Sequence, residues 1–141
     1  MNSSFALSNR CLSDTATPCT FCRIVRNGTE EIHDFGTMVA FLDSYPVSQG
    51  HFLVVPKRHL SDYFELSDDE LRDSNRALRD LRVNLLSGDS SIAGFNIGVN
   101  CGVAAGQTVE HAHIHLIPRR QGDTPNPRGG VRGVIPAKMT Y

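Results

Sequence analysis

An α+β fold is predicted for this chain: an antiparallel sheet of about five strands, one long helix and a short N-terminal helix. Three observations lead there. Short strand-like runs come first, one long helical stretch follows, and further strand-like runs come after it. The helical stretch carries its own start signal, Ser67-Asp68-Asp69-Glu70. Between residues 111 and 116 histidines alternate with apolar residues, the period-2 signature of a strand.

Residues 1–17, rich in Ser, Thr and Asn, are expected to form a loose arm. Cys19 to Val25 reads as a short apolar turn or helix. Strands are expected near Glu31–Phe35 and Thr37–Leu42, with Gly36 turning between them. The run His51-Phe52-Leu53-Val54-Val55 is continuous and β-branched, as a central strand should be, and Pro56 ends it. In the capping box, Ser67 and Glu70 satisfy each other's free backbone amides, while Asp68 and Asp69 suit the positive end of the helix dipole. Leu71, Leu78, Leu81 and Leu85 then give one apolar stripe, and Gly88 is a natural stop. Phe95-Ile97-Val99 alternates as a strand, and a Gly-rich bend leads into the histidine strand. The sheet is expected to be covered on one face. After Pro118, Pro and Gly density argues against regular structure. Residues 18–120 are thus read as one domain and 121–141 as a Pro/Gly/Arg-rich tail.

Fourteen basic against fifteen acidic residues leave a formal net charge of −1, so no global pull toward nucleic acid or membrane is expected. The start, Met1-Asn2-Ser3-Ser4-Phe5, has neither a basic n-region nor a long apolar run, and no signal peptide or membrane span is expected. Cys11, Cys19, Cys22 and Cys101 are too few and too clustered for a disulfide scaffold. A reduced, cytoplasmic protein is the simplest expectation.

Read as a strand, the segment Glu110-His111-Ala112-His113-Ile114-His115-Leu116 puts His111, His113 and His115 on one face, with neighbouring rings about 7 Å apart. Ala112, Ile114 and Leu116 fall on the other face. A helix would scatter the three rings over about 200° of arc. Imidazole is the side chain best suited to move protons or attack phosphorus near neutral pH. The residues alone leave open a three-histidine catalytic metal site and a plain solvent-facing strand.

This histidine pattern, preceded by Gly106-Gln107-Thr108, resembles the signature of the histidine triad (HIT) superfamily of nucleotidyl hydrolases and transferases. Phe41-Leu42-Asp43, the run Gly50 to His59, Val99-Asn100-Cys101-Gly102 and Ala105 to Val109 follow the family's order, so the resemblance spans roughly residues 19 to 120. It implies a HIT-like fold and a homodimer with a continuous sheet. It also implies that the middle histidine, His113, is the nucleophile, its other ring nitrogen held by a backbone carbonyl of the same strand. His115 would then bond the phosphate oxygens or protonate the leaving group, and Gln107 would contact the bridging oxygen. Gly106 and Thr108 would cradle phosphate, as a small bend with a hydroxyl can. By the same resemblance Asp43 hooks the ribose hydroxyls, Phe21, Ile24, Phe41 and Leu53 form the base slot, and Asn100 contacts phosphate or ribose. His51 is a further family histidine that either orients a triad member or is a satisfied core residue.

Cys19-Thr20-Phe21-Cys22 is a Cys-x2-Cys knuckle, and zinc needs two further thiolate or imidazole ligands. Bacterial-type relatives draw them from positions that correspond to His59 and His111, which implies one structural zinc per chain and no organic cofactor. The knuckle alone leaves open two structural thiols without metal. Pro118-Arg119-x-x-Gly122-Asp123 resembles hydrolases of dinucleoside polyphosphates, whereas the Pro-Lys-x-His pattern at residues 56–59 resembles the bacterial general branch. The expected substrate is a small nucleotide such as diadenosine tetraphosphate, cleaved with release of AMP. An AMP phosphoramidate hydrolase and a zinc-stabilised nucleotide-binding module are the alternatives. Direct nucleic-acid binding is not expected, since no basic surface is apparent. The tail arginines either are solvated or reach a polyphosphate.

Overall fold

A tight turn at Gly36, whose φ of +83° suits glycine, joins two antiparallel strands, β1 (His33–Phe35) and β2 (Met38–Leu42). The protein is described here by a computed structural model that covers residues 19–28 and 31–141. The arm expected at 1–17 and Cys11 lie outside the described residues. A helix α1 (Thr20–Asn27) precedes the hairpin, and β3 (Phe52–Pro56), helix α2 (Asp68–Gly88), β4 (Ile92–Gly98) and β5 (Ile114–Arg120) follow it. The five strands form one antiparallel sheet in the order β1-β2-β3-β5-β4. The α+β prediction holds, and β3 is central as its continuous apolar run requires.

The capping box of α2 is present: Glu70 N–H donates to Ser67 Oγ at 3.2 Å and Ser67 N–H to Glu70 Oε2 at 2.8 Å. Glu70 is also buried and takes Arg58 Nε and Nη2 at 2.6 and 2.9 Å. Burial pushes its carboxyl up, but the bonds from Arg58 and Ser67 outweigh that and hold it below its ordinary value. One glutamate therefore both starts the helix and anchors it to the segment after β3.

The buried stripe of α2 is not the leucine row. It runs Glu70, Ser74, Ala77, Leu81, while Leu71 is 38% exposed and Leu78 and Leu85 pack at the edge of the core. Small residues at 74 and 77 let the helix approach the sheet closely, and the larger leucines flank that line. The helix ends at Gly88 as expected, with Asp89 leaving in extended backbone.

Coverage of one sheet face also needs correction. Met38, Ala40, Val54, Ile114 and Leu116 pack toward α2. On the opposite face Val39, Phe41, Leu53 and Val55 pack with Phe21, Ile24 and Val25 of α1. Strands β2 and β3 are thus buried on both sides.

The hydrogen-bonded ladder of β5 starts only at Ile114, so His111 and His113 stand ahead of the strand. The β3–β5 pairing ends at Val54 and Ile114, and Ala112 N–H turns to the Leu60 carbonyl at 2.7 Å instead. Strand β4 likewise begins at Ile92 and stops before Val99.

The tail is more ordered than its composition suggests. It forms two short 3-10 turns, Gly130–Val134 and Pro136–Lys138. Arg132 Nη2 donates to the Lys138 carbonyl at 2.9 Å, and Arg128 and Arg132 stack on Tyr141 at 5.0 and 4.9 Å. Gly129, at φ +94°, passes so close to the Met139 carbonyl that any side chain would collide with it. Arg119 is bonded to Asp123 and Asn96, and Arg120 to Asp89, Ser48 and Ser91.

Candidate functional site

Side chains of β5 alternate, so His115, between Ile114 and Leu116, faces α1 rather than α2. His115 pairs with Leu53 across the ladder and shares its face. His113, 7% exposed, and fully buried His111 continue that line ahead of the strand. The rings of His113 and His115 meet edge-on with centroids 5.0 Å apart, closer than the backbone repeat alone allows, because the side chains lean together.

Each ring is fixed by a different partner. His113 Nδ1–H donates to the carbonyl of His111 at 2.7 Å, so Nε2 keeps its lone pair. At His115 the order is reversed. Val47 N–H donates to His51 Nδ1 at 3.2 Å, which puts the His51 proton on Nε2. That proton is given to His115 Nδ1 at 2.9 Å, which leaves a hydrogen on His115 Nε2. Asp43 Oδ2, at 3.6 Å from His51 Nε2, is too far to compete. His115 Nε2 is buried and, among the described residues, has no hydrogen-bond partner. A bare nitrogen and an unused N–H donor therefore sit on neighbouring rings.

Burial, followed by the charges of His113 and His51, pulls the pKa of His115 down to about 4. Burial also lowers His51, against the opposing pull of Asp43. Asp43, His51 and His115 bring donor atoms within 4.8 Å of one another, but the proton on His51 Nε2 removes the lone pair a metal would need there. The hydrogen-bond chain here runs from Val47 through His51 to His115, with Asp43 beside it.

Phe21, Phe41 and Leu53 are buried together with Ile24 packed against them, and the Phe21 ring stands 5.1 Å from that of His113. The expected base-slot residues thus do gather beside the histidines. Asp43, at the end of β2, accepts Tyr45 N–H through Oδ1 at 2.9 Å. Asn100, Gly106 and Thr108 lie on the loop between β4 and β5, with Gly106 and Thr108 exposed. Gln107 ties that loop down: its Oε1 accepts Gly102 N–H at 2.8 Å, and its Nε2 donates to the carbonyls of Ser61 at 2.8 Å and Val109 at 3.1 Å.

At the other end of the histidine line Cys19, Cys22, His59 and His111 place four donor atoms within 4.8 Å of one another. His111 Nδ1 is 3.6 Å from both sulfurs, and His59 Nδ1 is 3.3 Å from that of Cys22. A tetrahedral zinc with ordinary bond lengths has sulfur–nitrogen edges of about 3.6 Å, so the set fits that ion. His111 Nε2–H donates to the Pro56 carbonyl at 2.9 Å, which frees Nδ1 for a metal. Burial lowers the pKa of His111 to about 4 and keeps the ring neutral.

Sequence reasoning did not find Val47 or Ser61, because both act through backbone atoms that every residue carries. The Arg58–Glu70 pair was equally hidden, since a capping glutamate gives no sign of a second partner.

A family model described as HIT domain matches residues 26–122. An uncharacterised HIT-like protein of Methanocaldococcus jannaschii is 40% identical over 108 residues, which cover 74% of this chain and 81% of that protein. The asymmetrical bis(5'-nucleosyl)-tetraphosphatase of Schizosaccharomyces pombe is 34% identical over 68% of this chain, which spans 52% of that enzyme. Among solved structures, a zinc-bound histidine triad family protein from Mycobacterium smegmatis superposes with a TM-score of 0.68 at 32% identity, covering 77% of this chain and 79% of that one.

Proposed function

This chain belongs to the histidine triad (HIT) family, and from that premise we propose that it hydrolyses adenosine-containing polyphosphates and releases AMP. The carrying observation is the pair of opposed tautomers: a bare Nε2 on His113 beside a buried, unused Nε2–H on His115. His113 Nε2 attacks the α-phosphorus, a phosphorus–nitrogen bond forms, and the bond to the leaving polyphosphate breaks with its electron pair passing to the departing oxygen. His115 Nε2–H stabilises charge on the phosphate oxygens. Water then adds to phosphorus and loses a proton to solvent, the phosphorus–nitrogen bond breaks with its pair returning to His113 Nε2, and AMP leaves.

The depressed pKa of His115 favours a polyphosphate over an amine as leaving group. A neutral imidazole near pH 7 gives a hydrogen bond but holds its proton, and a polyphosphate departs as an anion without one, whereas an amine must be protonated. In this reading Asp43 receives the ribose hydroxyls, Phe21, Ile24, Phe41 and Leu53 receive the base, and Asn100, Gly106 and Thr108 receive phosphate. Gln107 contributes by holding the phosphate loop in place. Cys19, Cys22, His59 and His111 would hold one zinc per chain, which when bound supplies a structural tie between α1 and the histidine segment. Among the described residues no helix is long and apolar enough to cross a membrane.

The test compares turnover of diadenosine tetraphosphate with that of an AMP–amine conjugate, with rapid acid quench to trap nucleotide on His113. Preference for the tetraphosphate supports the reading. Faster turnover of the amine conjugate refutes the leaving-group argument, and AMP binding without turnover of either would make the chain a binding module. We also propose a homodimer, which sedimentation at the monomer mass would exclude.

A further inference from the structure

Resting on the reading of His113 as nucleophile, we propose that Phe21 is a positioning residue that carries the state of the Cys19, Cys22, His59 and His111 cluster to the ring of His113.

The two histidines of the phosphate site hang from separate supports. His115 is held by His51, and His51 by Val47, both from the segment leading into β3. His113 is held by His111 and Phe21. It donates Nδ1–H to the His111 carbonyl at 2.7 Å, and Phe21 meets its ring edge-on at 5.1 Å and 80°. Both of these supports adjoin the donors of the metal cluster. His111 supplies one donor nitrogen, and Phe21 stands between Cys19 and Cys22 with its ring also 5.9 Å from that of His111.

Helix α1 has eight residues, and among the described residues no side chain caps its N-terminus. A helix that short is marginal on its own, so its place depends on what it is fastened to. With the four donors drawn onto one ion, the first turn of α1 cannot swing away, and the aromatic wall beside His113 stays closed. Without the ion, weak thiol–imidazole contacts from Cys19 and Cys22 to His111 and His59 stand in for the metal bonds, beside the apolar contacts of Phe21, Ile24 and Val25 with the sheet. The wall then loosens, and His113 gains freedom to rotate and to trade its Nδ1–H for an Nε2–H. That exchange blocks the attacking lone pair. Nothing in the Val47–His51–His115 chain passes through α1, so His115 should keep its tautomer.

The experiment is long-range proton–nitrogen NMR of histidine side chains in nitrogen-labelled protein, zinc-loaded and after chelation, with exposed His33 as reference. Zinc-loaded protein should show His113 as one Nδ1–H tautomer and His115 as one Nε2–H tautomer. Chelation should turn His113 into a mixture and leave His115 unchanged. Zinc-loaded Phe21→Leu should retain its metal, show the same mixture at His113 alone, and transfer nucleotide to His113 roughly ten- to a hundredfold more slowly in a single turnover. Should metal-free protein unfold, the zinc-loaded variant decides alone. A single His113 tautomer in that variant, a joint change of His113 and His115, or loss of metal from Phe21→Leu each overturns the proposal. The NMR signal needs no turnover, so a protein that cleaves no nucleotide sinks the hydrolase reading and leaves this test standing.

Discussion

Replacing His51 with phenylalanine separates the hydrogen-bond chain from the rest of the site. His51 is 2% exposed, so a ring of similar size keeps the packing while removing both polar contacts. Val47 N–H loses its acceptor and His115 Nδ1 loses its donor. A buried polar group left without a partner costs about 1–3 kcal/mol, so the melting temperature should fall by several degrees. The effect on catalysis is separate. His115 stays in place but loses the partner that selects its protonated nitrogen, and with it the contact that, in the proposed reading, aims Nε2 at phosphate. Loss of a supporting partner of this kind costs roughly ten- to a hundredfold in rate. That equals about 1.4–2.7 kcal/mol of transition-state stabilisation, at about 1.4 kcal/mol per tenfold. The loss should appear in kcat for diadenosine tetraphosphate, while AMP affinity by calorimetry stays within about threefold, since the base contacts lie elsewhere and Asp43 is not hydrogen-bonded to His51. A kcat within about twofold of the parent in a folded variant would refute the tautomer argument. An equal loss of AMP affinity would show that His51 shapes the binding pocket instead.

Both His113→Ala and His113→Asn should abolish turnover with AMP affinity intact, and His115→Ala should lose roughly a hundred- to a thousandfold in kcat; near-parental activity of either His113 variant would sink the covalent route. Cys22→Ser should lower both metal content and melting temperature, and a melting temperature unchanged by chelation of the parent protein would remove the structural zinc. The pH dependence of stability follows from the buried neutral histidines. Because the folded pKa of His115 is about 4 against an ordinary 6.5, and that of His51 is also lowered, the unfolded chain binds protons first as pH falls. Stability should therefore be full above pH 6.5 and decline steadily toward pH 4; a urea midpoint that stays constant across that window contradicts the assignment.

Much of the fold was legible because it rests on short-range rules. The Ser67–Glu70 box spans one helical turn, Gly36 turns a hairpin, and the alternation around His113 and Ile114 survives even where the ladder is interrupted. The helix stripe was misread for a physical reason. Leucines mark an apolar residue, but Ser74 and Ala77 mark the line of closest approach, and small size carries no apolar signal. The second apolar layer escaped notice because the run Phe52 to Val55 reads the same whether one face or both are covered.

Residue identity alone determined which side chains could do chemistry: three alternating imidazoles, two thiols one helical turn apart, and a carboxylate after an apolar strand. Only tertiary structure decided what each ring does. His111 meets Cys19 across 92 residues, His51 meets His115 across 64, and Gln107 meets Ser61 across 46. A neutral imidazole has two nearly equivalent tautomers, and the partner at one nitrogen selects what the other can do. For His111 that partner is the Pro56 carbonyl, for His113 the His111 carbonyl, and for His115 the N–H of His51. One residue type repeated three times thus becomes a metal-ready donor, a ring with a bare Nε2 and a hydrogen-bond donor, because folding brings each ring a different neighbour.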